Sequence, residues 1–146
     1  MKFLRDWGPA LAWAAVMSFF STGVFSGQNT SRIIIPILTW LFPHAHPETF
    51  DIVHFYIRKS AHFCEFFLLS LLVLRGIRAG RSGWRWTWAL AALAAAAAYG
   101  GLDELHQAFV PSRTASIYDV MIDSSGAALA QAFAAVLAWR TSRRLT

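Results

Sequence analysis

The stretch "WRWTWALAALAAAAAYGGL", residues 84–102, indicates the fold class. Apart from Arg85 near its start it carries no charge, and it is about as long as the roughly 20 apolar residues that a helix needs to cross a hydrocarbon core. Directly after it comes "DELHQAFVPSRTASIYD", residues 103–119, where charged residues are dense. An apolar segment of this length that ends in a group of charges is typical of a membrane helix that reaches a polar surface.

The composition of the 146-residue chain also indicates an integral membrane protein. Hydrophobic residues make up 56% of the sequence and charged residues 14%, whereas soluble domains contain about 25% charged residues. The length suits a single domain, residues 1–146. The one cysteine, Cys64, excludes an internal disulfide. The net charge of +5 lies mostly at segment ends, so it forms no basic face of the kind that binds nucleic acid.

Four segments are predicted to cross the membrane, which gives an all-α, polytopic fold built as a bundle of four transmembrane helices. The predicted spans are residues 7–25, 57–77, 84–102 and 117–139. Between the first two spans, Pro36, Pro43 and Pro47 divide residues 26–56 into apolar runs that are too short to cross. Residues 31–42 are therefore predicted to form an outer interfacial or re-entrant segment.

Three histidines of the same region, His44, His46 and His54, suggest a metal cluster at first sight. Their spacing matches no standard metal site, and Pro47 lies among them. We therefore interpret them as part of a wetted loop at the level of the lipid headgroups.

The basic residues predict the orientation. Nine of the thirteen Lys and Arg residues flank the same ends of the predicted spans: Lys2, Arg5, Arg75, Arg78, Arg81, Arg85, Arg140, Arg143 and Arg144. By the positive-inside rule, both termini and the 75–85 loop lie in the cytoplasm. The 26–56 segment and the 103–116 loop then lie on the outer side.

Three predicted helices bring carboxylates and neighbouring polar side chains to the same outer third of the membrane. These side chains are Lys59, His62 and Glu65 in the second span, Asp103, Glu104, His106 and Gln107 at the end of the third, and Asp119 and Asp123 at the start of the fourth. Spacings of three and four residues place most members of each set on one helix face. Because ionisable groups avoid lipid and turn toward one another or toward a water-filled cavity, the three helices are expected to share a polar site.

Three stretches resemble the VanZ-like family: "FSGQ" at 25–28, "IRKSAHFCEFFLLSLL" at 57–72 and "DELHQAFVPSRTASIYDVMIDSSGAALA" at 103–130. The resemblance implies a small multi-pass protein of the bacterial inner (cytoplasmic) membrane, and the family's founding member is associated with resistance to the glycopeptide teicoplanin. The matching positions are Arg58, Lys59, His62, Glu65, Asp103, Glu104, Gln107, Arg113, Asp119, Asp123 and Gly126.

The first functional hypothesis is a binding site for an anionic ligand. Arg58, Lys59 and Arg113 would supply cations at the outer headgroup level, and the planar guanidinium suits phosphate oxygens. Carboxylates would orient these cations or share a divalent cation with the ligand. The expected partner is a membrane lipid with an anionic headgroup or an undecaprenyl-linked wall precursor, with a role in teicoplanin susceptibility or envelope homeostasis. The predicted ligand-binding residues are Arg58, Lys59, His62, Glu65, Asp103, Glu104, Gln107, Arg113, Asp119 and Asp123.

The second hypothesis is an intramembrane lipid phosphatase or metallohydrolase. "SRTASIYDVMID", residues 112–123, resembles the third motif of the phosphatidic-acid-phosphatase superfamily, S-R-x5-H-x3-D, but Asp119 stands where that motif has its histidine. A metal-dependent version would use His62, Glu65, Asp103 and His106 as ligands. The sequence leans away from an enzyme, so it predicts no catalytic residue and no resident cofactor.

The third hypothesis is purely structural: a closed ionic network that fixes the helix arrangement. The predicted pairs are Lys59 with Asp103 or Asp119, and Arg113 with Glu65 or Glu104. Carboxylates outnumber the available cations, and unpaired buried charges are costly, which weighs against a fully closed network. A cavity that opens outward would favour a binding site over such a network.

Overall fold

The structure, a computed structural model, describes residues 1–143. It contains five α-helices and, in the described residues, no strand. The helices are α1 (Lys2–Phe20), α2 (Gly27–Leu41), α3 (Pro47–Arg78), α4 (Trp86–Ala108) and α5 (Ile117–Arg143). A short 3-10 turn, Gly23–Phe25, lies between α1 and α2. Arg144, one of the basic residues used to predict the orientation, lies outside the described residues.

The central helix is α3, which contacts all four others, and its most extensive contact is with α5. The shared core contains Phe66 and Leu69 of α3 together with Ala92, Ala96 and Ala127 of α4 and α5. Alanine side chains are short, so the helix backbones approach closely. The alanine run that is so prominent in the sequence thus serves as a packing surface for α3 and α5.

The contacts of α1 define the relative directions of the helices. At one end of the molecule Trp7 packs on Gly76, and the Arg75 guanidinium donates to the carbonyl of Arg5 at 2.9 Å. Near the other end of α1, the Tyr99 hydroxyl lies 2.8 Å from the Ser18 hydroxyl. Helix α1 is therefore antiparallel to α3 and parallel to α4, and α5 returns parallel to α3.

By length and mean hydropathy, α3 and α5 are the two single helices of residues 1–143 that could cross a membrane. Helices α1 and α2 form a third candidate, a broken span or re-entrant loop bent by 65°. Helix α4 does not qualify, since alanine, glycine and tryptophan are less hydropathic than leucine or isoleucine and its last turns carry Asp103 and Glu104. These spans support a multi-pass membrane protein, whereas the predicted four-span bundle is not confirmed.

The predicted boundaries change most within residues 26–56. Helix α3 begins at Pro47 rather than at residue 57, because proline at the first helical position lacks only a donor that would be unpaired anyway. Pro36 lies inside α2 and does not end it. Helix α2 nevertheless occupies the region predicted to be interfacial or re-entrant, and it exposes Ile33, Ile37 and Trp40.

The three histidines of this region have different surroundings. His44 and His46 are exposed in the loop before α3, as the wetted-loop interpretation predicts. That interpretation is wrong for His54, which is buried on α3 with its Nε2 3.0 Å from the Thr30 hydroxyl of α2. The extra helical turns that begin at Pro47 carry His54 onto the face of α3 that packs against α2.

Candidate functional site

The charged side chains converge at one end of the helix assembly. There the first half of α3 passes the last turns of α4, the first turns of α5 and the turn between α1 and α2, which we call the α1–α2 turn (residues 21–26). The convergence follows from the helix directions, since α4 delivers its C-terminal end and α5 its N-terminal end to the same level.

Two pairs of side chains join α3 to α5. The Lys59 ammonium forms an ion pair with the Asp119 carboxylate, and both side chains are mostly buried. One turn further along, His62 Nδ1 lies 3.5 Å from Asp123 Oδ1. The stripe predicted on α3 therefore faces the pair of aspartates predicted on α5, in register and with parallel helix directions.

Asp123 is the most deeply placed charge of the site, with a fully buried side chain. Its two carboxylate oxygens have no hydrogen-bond donor within the described chain, and His62 Nδ1 likewise has no hydrogen-bond partner there. A separation of 3.5 Å is longer than a well-formed hydrogen bond. Because an unsatisfied buried carboxylate costs free energy, the His62 imidazole is the group of residues 1–143 that can compensate Asp123.

Arg58 and Arg113, which we call the arginine pair, are held by neutral acceptors. Arg58 Nη1 donates to the Phe25 carbonyl at 3.0 Å and to the Thr30 hydroxyl at 3.2 Å. Arg113 Nη2 donates to the carbonyls of Phe20 and Thr22 in the α1–α2 turn and the end of α1. Neither guanidinium forms an ion pair with a carboxylate of residues 1–143. Both positive charges therefore remain without a counterion in direct contact.

The two members of the arginine pair also influence each other. Arg113 lies in the loop between α4 and α5, where burial lowers the pKa of its guanidinium, followed by repulsion from the Arg58 charge. Its Nε atom is buried without a partner. Two cations that repel each other across a shared space create a strong local preference for an anion.

Two cavities meet at this point. The first has a volume of about 250 Å³ and is lined mainly by apolar side chains of α1, α2 and α3, with Glu65 and Asp103 at its polar end. The second, about 380 Å³, has a mostly polar lining from the start of α2, from α3 and α4, from the 110–116 loop and from the start of α5. Arg58, His62 and Arg113 line both cavities. These three residues therefore form the boundary between the two cavities. We call the first one the apolar cavity and the second one the polar cavity.

The remaining predicted site residues divide between the cavities and the protein interior. Gln107 lines the polar cavity and donates to Asp103 at 2.8 Å. Glu104 lines neither cavity; it is buried and accepts a hydrogen bond from the Ser116 backbone N–H at 2.7 Å. Its position ties the 110–116 loop to α4, which in turn fixes the backbone that carries Arg113.

The predicted structural network forms only in part. The Lys59–Asp119 pair is present, but Arg113 bonds to backbone carbonyls rather than to Glu65 or Glu104. Of the four ligands of the metal hypothesis, His62, Glu65 and Asp103 line the apolar cavity, whereas His106 is exposed and lines neither cavity. Within residues 1–143 no group of three or more His, Cys, Asp and Glu side chains is arranged to hold a metal ion.

Sequence reasoning missed the contribution of the α1–α2 turn. Its carbonyls hold the arginine pair, Thr30 bonds to Arg58, and the Ser26 side chain accepts from the Asn29 N–H at the start of α2. The only signal was the short stretch "FSGQ" at 25–28, which carries no charge. Every residue has a backbone carbonyl, so residue types do not reveal which carbonyls act as acceptors. This half of the site is therefore apparent only from the three-dimensional structure.

Comparison with known proteins gives one match. The sequence model of the VanZ/LLP1 family matches residues 7–138, nearly the whole chain. No curated protein and no solved structure matches the chain. The match includes the α1–α2 turn, the charged stripe of α3 and the 103–123 region that together form the site. The chain therefore belongs to the VanZ/LLP1 family.

Proposed function

We propose that the protein binds an amphiphile with an anionic headgroup, such as an anionic phospholipid or an undecaprenyl-linked wall precursor. The observation that carries this proposal is the arginine pair, whose two charges lie on the wall of both cavities without a carboxylate in contact. A phosphate between the two guanidiniums would supply the missing counterion, and its oxygens suit the planar fork of arginine.

The two cavities suit the two halves of such a molecule. The polar cavity offers Lys59, Gln107 and Thr114 to a headgroup, and the apolar cavity offers Met17, Phe20 and Ile34 to the first carbons of a hydrocarbon chain. A small-molecule site is generally an apolar cleft with a few polar groups that fix the orientation of the ligand. The arginine pair lies where the headgroup and chain of an amphiphile would join.

We further propose that α1, α3, α4 and α5 all cross the bacterial inner membrane, with both termini in the cytoplasm. The basic residues of the 75–85 loop and of the chain ends support this orientation. The site then opens toward the outer leaflet, where a bound wall precursor or lipid would connect the protein to envelope homeostasis and to susceptibility toward teicoplanin.

A binding experiment with matched arginine variants tests the proposal. Purified protein would be titrated with phosphatidylglycerol, phosphatidic acid and undecaprenyl phosphate, with phosphatidylcholine as the zwitterionic control. Arg113→Lys and Arg58→Lys keep the charge and lose the fork, so we expect each to weaken anionic binding by about tenfold. Arg75→Lys is the matched control, because Arg75 also donates to α1 carbonyls but lines neither cavity.

Thermal stability measured on the same samples separates binding from folding. If the Arg113 and Arg58 variants lose binding while melting near the wild-type temperature, the binding site is supported. Equal losses of binding in Arg75→Lys, or losses that follow stability in every variant, would favour the structural network instead. A wild-type protein with no preference for anionic lipids over phosphatidylcholine would overturn the proposal.

A separate prediction concerns the affinity for anionic lipid after divalent cations are removed. Since no three-ligand metal group exists in the described chain, anionic binding should persist in EDTA at close to its original affinity. If EDTA abolished binding and Mg²⁺ or Ca²⁺ restored it, a cation shared between the ligand phosphate and Glu65 or Asp103 would have to be part of the site.

A further inference from the structure

We propose that the site also hydrolyses a phosphate ester of its ligand, with His62 as the nucleophile and Asp123 as its positioning residue. This inference rests on the proposed function, because the arginine pair must hold the phosphoryl group. The substrate class is a lipid phosphomonoester or diphosphate, and the products are the dephosphorylated (or singly phosphorylated) lipid and inorganic phosphate.

The first observation is the position of His62 between the fully buried aspartate and the cavities. Its Nδ1 faces Asp123 Oδ1 at 3.5 Å, while the side chain lines both cavities beside Arg58 and Arg113. The two ring nitrogens lie on opposite sides of an imidazole, so Nε2 is directed away from Asp123. With a proton on Nδ1, Nε2 has a free lone pair, and a carboxylate behind the ring favours that tautomer.

The second observation is that Asp123 has no ion-pair partner other than His62 in the described chain. Both of its oxygens lack hydrogen-bond donors, although it is completely buried. Catalytic hydrogen bonds are often long in a protein without substrate and tighten when the substrate binds. A buried carboxylate held just beyond hydrogen-bond distance of a cavity-lining histidine fits this description, whereas a structural pair would be expected to close.

The third observation concerns the histidine that residues 112–123 lack when they are compared with the phosphatase motif. That stretch has aspartate at position 119 where a histidine nucleophile would be needed, and Asp119 instead pairs with Lys59. The imidazole is supplied by α3, which runs parallel to α5 and places His62 opposite Asp123. The nucleophile and its positioning residue therefore come from different helices, and no motif within one segment contains both.

Glu65 acts as the acid in the first chemical step and as the base in the second. Nε2 of His62 attacks phosphorus, the P–O bond to the lipid breaks, and the leaving oxygen takes the proton of the Glu65 carboxyl, which lines the apolar cavity. Water then attacks the phosphoryl-imidazole, the Glu65 carboxylate accepts one proton of that water, and the P–N bond breaks. The arginine pair stabilises the charge of the phosphoryl oxygens in both steps.

Phosphate release provides the test. Wild-type protein in vesicles that contain undecaprenyl phosphate, undecaprenyl diphosphate or phosphatidic acid should release inorganic phosphate from at least one of them. His62→Gln should reduce the rate by about 10³-fold or more, and His106→Gln, an exposed histidine outside both cavities, should not. Asp123→Asn should lower kcat, expressed per folded protein, by about 10²- to 10⁴-fold with little change in KM, whereas a merely structural role would reduce the folded fraction and leave the kcat of the folded protein unchanged.

A trapping experiment keeps the inference testable if His62→Gln fails to fold. Wild-type protein exposed to ³²P-labelled lipid phosphate and quenched rapidly in alkali should carry an acid-labile label that peptide mapping assigns to His62. Label on another residue, or a folded His62→Gln protein with wild-type activity, would overturn the inference.

Binding and cleavage have separable outcomes. If the wild type binds lipid phosphates through the arginine pair but neither releases phosphate nor becomes labelled, the hydrolase inference is wrong and the binding function stands. If the wild type binds no anionic lipid, the proposed function itself fails, and the hydrolase inference fails with it.

Discussion

At the scale of single residues, the cations of the site have different partners. Lys59 is paired with Asp119, whereas Arg58 and Arg113 bond to carbonyl and hydroxyl oxygens. A neutral acceptor fixes a guanidinium in space without cancelling its charge, and a carboxylate does both. Lys59 therefore serves mainly to join α3 to α5, and the arginine pair provides the uncompensated positive charge in the cavities.

Asp119→Asn should change stability and binding in opposite directions. The variant leaves a mostly buried ammonium without its counterion, so we expect the free energy of unfolding to fall by about 1–3 kcal/mol. It also removes a negative charge from the polar cavity and releases Lys59, so affinity for anionic lipid should rise roughly fivefold. Thermal unfolding and lipid titration measure the two effects. Weaker binding would show that the ion pair shapes the ligand site rather than competes with the ligand.

The type of contact determines how much of the site could be predicted from the sequence. Side chains on one helix have fixed relative positions, so the spacing predicted the stripe of Lys59, His62 and Glu65 and the facing aspartates of α5. Spacing does not predict which polar atom of another element a side chain reaches. Arg113 was expected to meet Glu65 or Glu104 and instead bonds to carbonyls, and this choice depends on where the α1–α2 turn lies in three dimensions.

At the scale of helices, the close contact between α3 and α5 sets the distance between His62 and Asp123. Gly126 of α5 packs directly against the carbonyl group of Phe63, and a Cβ atom there would overlap the carbonyl oxygen. Two helical turns further along α3, the Ser70 hydroxyl donates to the Ala127 carbonyl at 3.1 Å, and Gln131 donates to the Ser70 hydroxyl at 2.7 Å. Small residues and a buried polar network hold the two helices together just below the site.

Gly126→Ala should therefore destabilise the protein and disturb the site. The added methyl group meets backbone rather than a flexible side chain, so α3 and α5 must separate, at a cost of about 1–3 kcal/mol. Gly101→Ala is the matched control, because a Cβ there meets nothing within 4 Å and alanine favours a helix by about 0.5–1 kcal/mol. Thermal unfolding of both variants checks this expectation. Equal stability of the two would contradict the close packing.

Four of the five helices in residues 1–143 could be predicted from hydropathy, but α2 was predicted only as an interfacial or re-entrant segment, and the ends of the helices could not be predicted. Residues 84–102 were recognised as a helix, and α4 extends to Ala108 because Glu104 and Gln107 of its last turns are buried in the assembly. Proline misled the prediction at Pro36 and Pro47, where it was read as a breaker. Its effect depends on the position within a helix: at the first turn it is favourable, and in the interior it removes one hydrogen bond without always ending the helix.

At the scale of the whole molecule, the packing of α4 bears on whether this helix crosses the membrane. Its composition alone does not qualify it as a span, yet its alanine face packs into the core formed with α3 and α5. A helix in such an assembly needs less hydropathy of its own, since one of its faces contacts protein. The site also requires α4 to end at the level where α5 begins, which places the 79–85 loop at the opposite end of the assembly.

Cysteine accessibility on the two sides of α4 tests this arrangement. In a Cys64→Ser background, Ala115→Cys and Ser82→Cys place single thiols at exposed positions of the two loops that α4 connects. If α4 crosses, a membrane-impermeant maleimide applied to intact spheroplasts should label Ala115→Cys at once and Ser82→Cys only after permeabilisation. A C-terminal alkaline phosphatase fusion should be inactive, because the terminus is expected in the cytoplasm. Labelling of both cysteines from outside would show that α4 does not cross, and labelling of Ser82→Cys alone would reverse the orientation. In the reversed case the arginine pair would face the cytoplasmic leaflet, and its ligand would have to be sought there.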